Sequence, residues 1–233
     1  MRGYRSFPLS IPIALALVVA ALAGPLEDGL AADDKGDWQE AVRLLEPLAK
    51  RGNVKAQEKL GRLYQRGKGV ERDYAAATDW YRKSAIQGDA AAQARLGFML
   101  WLGVGTDRDY QEAFTWYRRS AEQGNRLGQV GLGYMAMEGV AMAIDYATAA
   151  EWFRRAALQG DALAMLGLAT LYENGRGVPL DPIHAWAWYD RASKDDGEYE
   201  QDIFERAARS RDDLAERMTP AQIAEAKKFA ARP

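Results

Sequence analysis

The side chains of this sequence that are best suited to binding a partner are aromatic, aliphatic and methionine residues at four positions whose copies follow every 36 residues. Within each copy they lie three or four residues apart, which is the spacing of one face of an α-helix. Large rings supply contact area at a low entropic cost, and methionine adapts its shape to a partner. The pattern therefore predicts a binding face for a protein or peptide, formed by Phe98, Trp101, Leu127, Val130, Tyr134, Met137, Thr170 and Glu173.

The composition of this face changes from copy to copy. Its first copy is polar, as expected for an exposed face, and consists of Lys55, Glu58, Arg62 and Gln65. The second and third copies are apolar, and the last is mixed, with Leu163, Leu166, Thr170 and Glu173. An apolar patch is therefore expected in the middle of the face. It forms either a groove for a partner or a surface that the chain itself covers, for example with a C-terminal helix around Phe229.

The residue types present argue against most catalytic chemistry. The sequence has one histidine and no cysteine, which excludes disulfides, thiolate nucleophiles, iron–sulfur clusters and the usual structural zinc sites. Met135, Met137 and Met142 could bind copper(I) through their thioethers, but core packing is the favoured interpretation. We therefore expect a protein that is not an enzyme, with no catalytic residue, no metal site and no cofactor.

The charge balance bears on the class of partner. Among 233 residues, 31 are basic and 33 are acidic, which gives a formal net charge of −2. Nucleic-acid binding normally needs a broad basic surface, and this sequence is too close to neutral to provide one. We therefore expect a protein or peptide partner and no nucleic acid. The oligomeric state cannot be derived from these features.

Residues 1–23 have the layout of a secretory signal peptide. Arg2 and Arg5 precede an apolar run from Ile11 to Ala23, which ends in the small-residue pattern Ala21-Leu22-Ala23. The run is shorter than the roughly 20 apolar residues that a membrane-spanning helix needs. We expect cleavage near Ala23 and no stable membrane span in the mature chain, the alternative being an uncleaved anchor.

Gly61, Gly67 and Asp73 each have copies at the same 36-residue spacing. These three sets of residues define two helices, A and B, in each copy. Helix A is expected to end at Gly67 and its copies, because glycine enters the left-handed cap conformation without a steric penalty. Helix B is expected to begin after Asp73 and its copies, which fit the N-cap position. Gly61 and its copies lie inside helix A, and they indicate a place where two helices cross closely.

The motif Leu60-Gly61-Arg62-Leu63-Tyr64, followed by Gly67-Lys68-Gly69-Val70, Asp73, Ala77, Trp80-Tyr81, Ala85 and Gly88, resembles the Sel1-like repeat. That repeat is a relative of the tetratricopeptide repeat. The resemblance implies an all-α fold, a right-handed solenoid of antiparallel helix pairs in which helix A lines the concave side. It also implies a scaffold for protein–protein contacts and no particular reaction.

The two ends of the repeat array are atypical, which suits capping, since a terminal repeat otherwise exposes the face that a neighbour should cover. The expected organisation is a signal peptide in residues 1–23 and a tetratricopeptide-like capping segment in residues 24–53. Four 36-residue repeats follow in residues 54–197, and capping helices in residues 198–233. The last two helices are expected over residues 198–216 and 220–230.

The expected function is that of a non-enzymatic scaffold or adaptor in the bacterial cell envelope. A short signal peptide followed by this repeat resembles bacterial envelope proteins, so the periplasm is the expected location and secretion the second choice. The alternative is binding or slow hydrolysis of a cell-wall compound of the β-lactam type, which is associated with a cysteine-rich branch of the family. That branch carries a disulfide pair in each repeat, whereas this sequence has no cysteine.

Overall fold

The fold is an all-α repeat solenoid, as the sequence predicts. A computed structural model describes residues 24–194 and 201–231, and all regular elements within these ranges are α-helices. The expected signal peptide and the link between the last repeat and the C-terminal helices lie outside the described residues. The helices are α1 (24–34), α2 (Trp38–Lys50), α3 (Val54–Arg66), α4 (Tyr74–Ile86), α5 (Ala90–Leu102), α6 (Tyr110–Glu122), α7 (Arg126–Glu138), α8 (Tyr146–Ala157), α9 (Ala162–Asn174), α10 (Pro182–Ala192), α11 (Gln201–Ala215) and α12 (Pro220–Ala230).

The chain divides into two compact units, one ending at Gln87 and one beginning at Gly88. In the first unit, α2 packs against α3 and α3 against α4. In the second unit, α5 pairs with α6, α7 with α8, and α9 with α10. The A helices of the second unit also pack on one another, α5 on α7 and α7 on α9. Helix α11 in turn contacts α9. The binding-face residues of neighbouring repeats are thereby carried on adjacent helices.

The helix ends confirm the predicted caps. The Asp73 carboxylate accepts a hydrogen bond from the backbone N–H of Ala76 at 2.9 Å, which satisfies one of the free amides at the start of α4. Asp109, Asp145 and Asp181 cap the other B helices in the same way. Gly67 ends α3 in the left-handed conformation, with φ of 64°, and its three copies end α5, α7 and α9 likewise.

The glycines inside helix A make room for an aromatic ring of helix B. A Cβ atom added at Gly133 would lie 2.5 Å from Phe153, and one added at Gly167, on the next A helix, would lie 2.8 Å from the same ring. The Phe153 ring is therefore inserted between two A helices whose glycines lack side chains. This confirms the predicted close crossing.

The C-terminal helices pack mainly on α10. Phe204 and Leu214 of α11 are buried at 5% and 3% exposure, and the Arg211 guanidinium donates a hydrogen bond to Asp190 of α10 at 3.1 Å. The second helix begins at Pro220, as predicted. Its N-cap residue, Thr219, exchanges hydrogen bonds with Gln222 in a capping box.

One sequence-based expectation about helix A is wrong. Position 58 and its copies were expected on the exposed face, but all four side chains are buried: Glu58 2%, Ala94 2%, Val130 7% and Leu166 2%. At 3.6 residues per turn, position 59 lies nearer to position 55 around the helix than position 58 does. The more exposed side of α3 and α5 is therefore at positions 55, 59, 62 and 66 and their copies, whereas in α7 and α9 the copies of position 59 are the buried Gly131 and Gly167. Position 58 turns towards neighbouring helices, and position 65 is half-buried.

Candidate functional site

The centre of the candidate binding face is an exposed apolar pair on α5. Phe98 and Leu102 are 46% and 42% exposed, and they lie four residues apart on one side of the helix. Within the described residues they are the most exposed large apolar side chains of any A helix. The predicted face includes Phe98 but not Leu102, which the corrected orientation of the helix brings into it.

Trp101 lies beside this pair and is held by helix B of its own repeat. Its ring packs edge-on against Tyr117, with centroids 6.1 Å apart, and against Tyr110 at 6.4 Å. Burial raises the pKa of Tyr117. Arg108 closes the edge of this cluster, since its guanidinium donates a hydrogen bond to the carbonyl oxygen of Leu102 at 3.3 Å. Trp101 is thus a half-buried ring in a fixed orientation.

The neighbouring helix, α7, carries the predicted residues Leu127, Val130, Tyr134 and Met137. Leu127, Tyr134 and Met137 are half-buried. Val130 is only 7% exposed, so it supports the surface from beneath and is not open to a partner. The face of α7 is therefore apolar but less prominent than that of α5.

Tyr134 is fixed by contacts to two helices. Its ring packs edge-on against Phe153 with a centroid distance of 5.0 Å, and its hydroxyl lies 3.5 Å from the carbonyl oxygen of Leu163 on α9, to which it donates. Burial raises the pKa of Tyr134 to about 12. The hydroxyl is therefore neutral at physiological pH and serves as a hydrogen-bond donor.

The predicted residues of α9 are engaged by the chain itself. The Tyr189 hydroxyl donates to the Glu173 carboxylate at 2.8 Å and lies 3.2 Å from the Thr170 hydroxyl. Arg217, which follows α11, donates to the other carboxylate oxygen of Glu173 at 2.5 Å. Glu173 thus anchors the C-terminal cap, and it is less available to a partner than Phe98.

The C-terminal helix α12 packs on α10 and does not cover the apolar patch around Phe98. The Phe229 ring lies 4.2 Å from the His184 ring of α10, measured between centroids, and His184 in turn stacks on Tyr172 at 5.3 Å. Helix α12 packs against α10. With α12 packed on α10, Phe98 remains 46% exposed.

In residues 24–194 and 201–231, no three histidine, aspartate or glutamate side chains are grouped so that they could hold a metal ion. Within the same residues, none of the helices has the length and the apolar character required to cross a membrane.

The model of the Sel1 repeat family matches four successive segments, residues 54–89, 90–125, 127–161 and 162–196. The chain belongs to the Sel1 repeat family. Sel1 repeat proteins generally mediate protein–protein interactions, and they are generally non-enzymatic scaffolds. A comparison with curated proteins found no match.

Solved structures of Sel1 repeat proteins are similar to this chain. A Sel1 repeat protein from Oxalobacter formigenes is 30% identical with a TM-score of 0.68, and the match covers 81% of this chain and 82% of that one. A protective antigen of uropathogenic Escherichia coli strains with the SLR fold is 33% identical with a TM-score of 0.67. That match covers 77% of this chain but only 40% of the antigen, so this chain spans about two fifths of its length.

A more distant structure, the protein 5086 of Pseudomonas aeruginosa, shares the fold alone. It is 19% identical with a TM-score of 0.51, and the match covers 94% of this chain and 84% of that one.

Proposed function

We propose that this Sel1 repeat protein is a non-enzymatic scaffold of the bacterial cell envelope that binds a protein partner through the exposed face of its A helices. By resemblance to the family this is the concave face. The contact surface is centred on Phe98, Trp101 and Leu102 of α5. It extends over Leu127, Tyr134 and Met137 of α7, with Val130 beneath it and with Thr170 and Glu173 at its edge.

The observation that carries this proposal is the exposure of Phe98. A phenylalanine that leaves 46% of its surface in water forgoes part of the roughly 2 kcal/mol that burying such a side chain contributes. Beside it, Trp101 is a ring already fixed by Tyr110 and Tyr117, so little side-chain entropy is lost when a partner covers it. Exposed apolar residues next to rigid aromatic rings are the usual composition of interaction hot spots.

The proposed location rests on the N-terminal sequence and on one similar structure. We propose that the chain is exported, is cleaved near Ala23 and acts in the periplasm, with secretion as the second choice. The similar Escherichia coli protein is a protective antigen present in uropathogenic strains. This supports an envelope protein here.

Site-specific photo-crosslinking from position 98 tests the proposal. A photoreactive phenylalanine analogue replaces Phe98 in the native cells, and in a matched strain it replaces Leu158, which is 73% exposed at the end of α8. We expect a discrete adduct from position 98 that position 158 does not give. The adduct is identified by mass spectrometry, and binding is then measured with the two purified proteins.

Two outcomes contradict the proposal. One is an identical set of adducts from positions 98 and 158, which indicates non-specific collision. The other is an identified protein that, once purified, binds the Phe98→Ala variant as tightly as the parent chain.

A further inference from the structure

The first unit contains a cleft that the proposed function does not use. It has a volume of about 440 Å³ and lies between the turn that follows α1 and the exposed side of α3. The turn contributes Asp33, Asp34 and Lys35 to the lining. All lining residues precede residue 70, so the cleft belongs to the first unit alone.

The side of α3 that faces this cleft is basic. Lys55, Lys59, Arg62 and Arg66 follow one another at steps of four, three and four residues, which places them along one side of the helix. Three of them, Lys59, Arg62 and Arg66, line the cleft. On α5 the positions equivalent to Arg62 and Arg66 are Phe98 and Leu102, so the same side of the two A helices has opposite chemistry.

Two further cations complete the lining from the neighbouring turns. Lys35 follows α1, and Lys68 follows α3 and places its ammonium group 4.0 Å from the centroid of the Trp38 ring. A cation held over an aromatic face keeps a defined position. The cleft thus combines five basic side chains with two carboxylates and the apolar surfaces of Trp38 and Leu63.

The contacts within the cleft leave hydrogen-bonding capacity for a ligand. Lys59 forms an ion pair with Asp33 at 3.1 Å, and the side chains of both are 14% exposed. The Nε atom of Arg62 is buried and has no hydrogen-bond partner among the described residues. A buried donor without a partner is unfavourable. Arg62 also lines the cleft, so its guanidinium charge is next to a ligand bound there.

We propose that this cleft binds an acidic segment of a protein partner, with the carboxylates of Asp or Glu side chains on Arg62, Lys35 and Lys68. Guanidinium groups bind carboxylates through paired, charge-assisted hydrogen bonds. Asp33 and Asp34 in the same lining disfavour a compact, multiply charged anion such as phosphate, but they accept hydrogen bonds from the backbone N–H groups of a peptide. Trp38 and Leu63 offer an apolar surface to a neighbouring side chain of that peptide.

This site is separate from the proposed function, which depends on α5 and α7. A variant that disrupts the α5 patch, Phe98→Glu, is therefore expected to bind an acidic peptide as the parent chain does. Failure of one proposal can in this way be distinguished from failure of the other.

Fluorescence anisotropy with the full-length mature chain tests the inference. The probe is a labelled (Gly-Glu)4 peptide, and its uncharged counterpart is (Gly-Gln)4. We expect saturable binding of the first only, weakened by raising NaCl because salt screens exposed charges. Removing one charge-assisted hydrogen bond costs about 1.5 kcal/mol, so Arg62→Gln is expected to weaken binding about tenfold.

The matched control is Arg43→Gln, which removes the same charge from the exposed side of α2, where Arg43 pairs with Glu40. It is expected to change the affinity less than twofold. Lys35→Gln, in the turn, is a second cleft variant, and thermal unfolding checks that each variant is folded. The inference is overturned if Arg62→Gln and Arg43→Gln have equal effects, if (Gly-Gln)4 binds equally well, or if inorganic phosphate at equal concentration displaces (Gly-Glu)4.

Discussion

The ring of Phe153 lies directly against the backbone of Gly133, so that a Cβ atom at Gly133 would be 2.5 Å from the ring. The opposite edge of the ring faces the backbone of Gly167, where an added Cβ atom would lie 2.8 Å from it. Phe153 is fully buried. A pair of glycines on successive A helices thus defines the spacing between two repeats.

Gly133→Ala is expected to destabilise the protein by up to about 2 kcal/mol. Alanine is favoured over glycine inside a helix by about 1 kcal/mol, but overpacking of a filled core costs about 1–3 kcal/mol, so the second effect outweighs the first. Chemical denaturation of the purified variant measures the change in the free energy of unfolding.

The control is a double-mutant cycle with Phe153→Ala. In that background the clash is absent, so Gly133→Ala is expected to be neutral or stabilising by up to about 1 kcal/mol. An equal destabilisation in both backgrounds would show that the Phe153 ring is not the cause.

Ala141→Gly is expected to stabilise the protein by about 0.5–1 kcal/mol. Ala141 has φ of 60°, a left-handed conformation that costs a residue with a Cβ about 1–2 kcal/mol. Glycine relieves this strain. Because glycine loses more backbone entropy on folding than alanine, the net stabilisation is smaller than the strain energy. The thermal unfolding midpoint of the variant provides the measurement.

The equivalent position in the next repeat provides the opposite control. Gly177 has φ of 69°, and a Cβ there would be 2.2 Å from the backbone of Tyr146. Gly177→Ala is therefore expected to destabilise by at least about 2 kcal/mol. If both substitutions change stability in the same direction, backbone strain does not govern these loops.

Alkaline pH is expected to weaken the fold partly through Tyr134. Burial raises its pKa from 10.0 to about 12, so the folded chain keeps this proton at pH values where the unfolded chain releases it. The stabilisation is fully present below pH 10 and is lost as the pH rises towards 12. Tyr134→Phe is expected to reduce the loss between pH 9 and 12 by about 2 kcal/mol, measured by denaturation at each pH. An unchanged pH profile in the variant contradicts the assigned burial.

Local signals in the sequence predict most helix ends of the structure. Asp73 and Gly67 act through backbone chemistry that involves only a few neighbouring residues, so their types and spacing are sufficient. The same holds for Thr219-Pro220 at the start of α12. The close crossing at Gly61 is also predictable, because a glycine that recurs inside a helix requires a packing reason, here the Tyr81 ring 2.7 Å from an added Cβ.

The orientation of helix A around its own axis is harder to predict. Steps of three and four residues are compatible with two helix faces, one through position 58 and one through position 59. Polarity does not identify the exposed face, because the polar side chain of Glu58 is buried. As a result, the sequence-based prediction places Val130 on the exposed face and omits Leu102 from that face. Glutamine pairs with one buried member were also missed: Gln123 donates to the buried Gln93 at 2.8 Å. Their recurrence every 36 residues was a usable signal.

The mature N-terminus is expected just after Ala23. Intact-mass spectrometry of the protein purified from the envelope fraction should show a chain that begins at Gly24, because a signal peptidase cleaves after the Ala21-Leu22-Ala23 pattern. Ala23→Arg should prevent cleavage and leave the full-length chain in the membrane fraction. A mature protein that retains residues 1–23 in the parent strain contradicts the proposed export route.

The central claim, that the α5 patch binds a protein, is tested most directly by the dissociation constant of the partner crosslinked from position 98. Phe98→Ala is expected to weaken binding at least tenfold, since truncating a central aromatic contact costs about 2 kcal/mol. Its free energy of unfolding should change by less than about 0.5 kcal/mol, and Leu158→Ala should leave the dissociation constant unchanged. An unaltered dissociation constant for Phe98→Ala, or a loss of binding that follows a large loss of stability, would contradict the account.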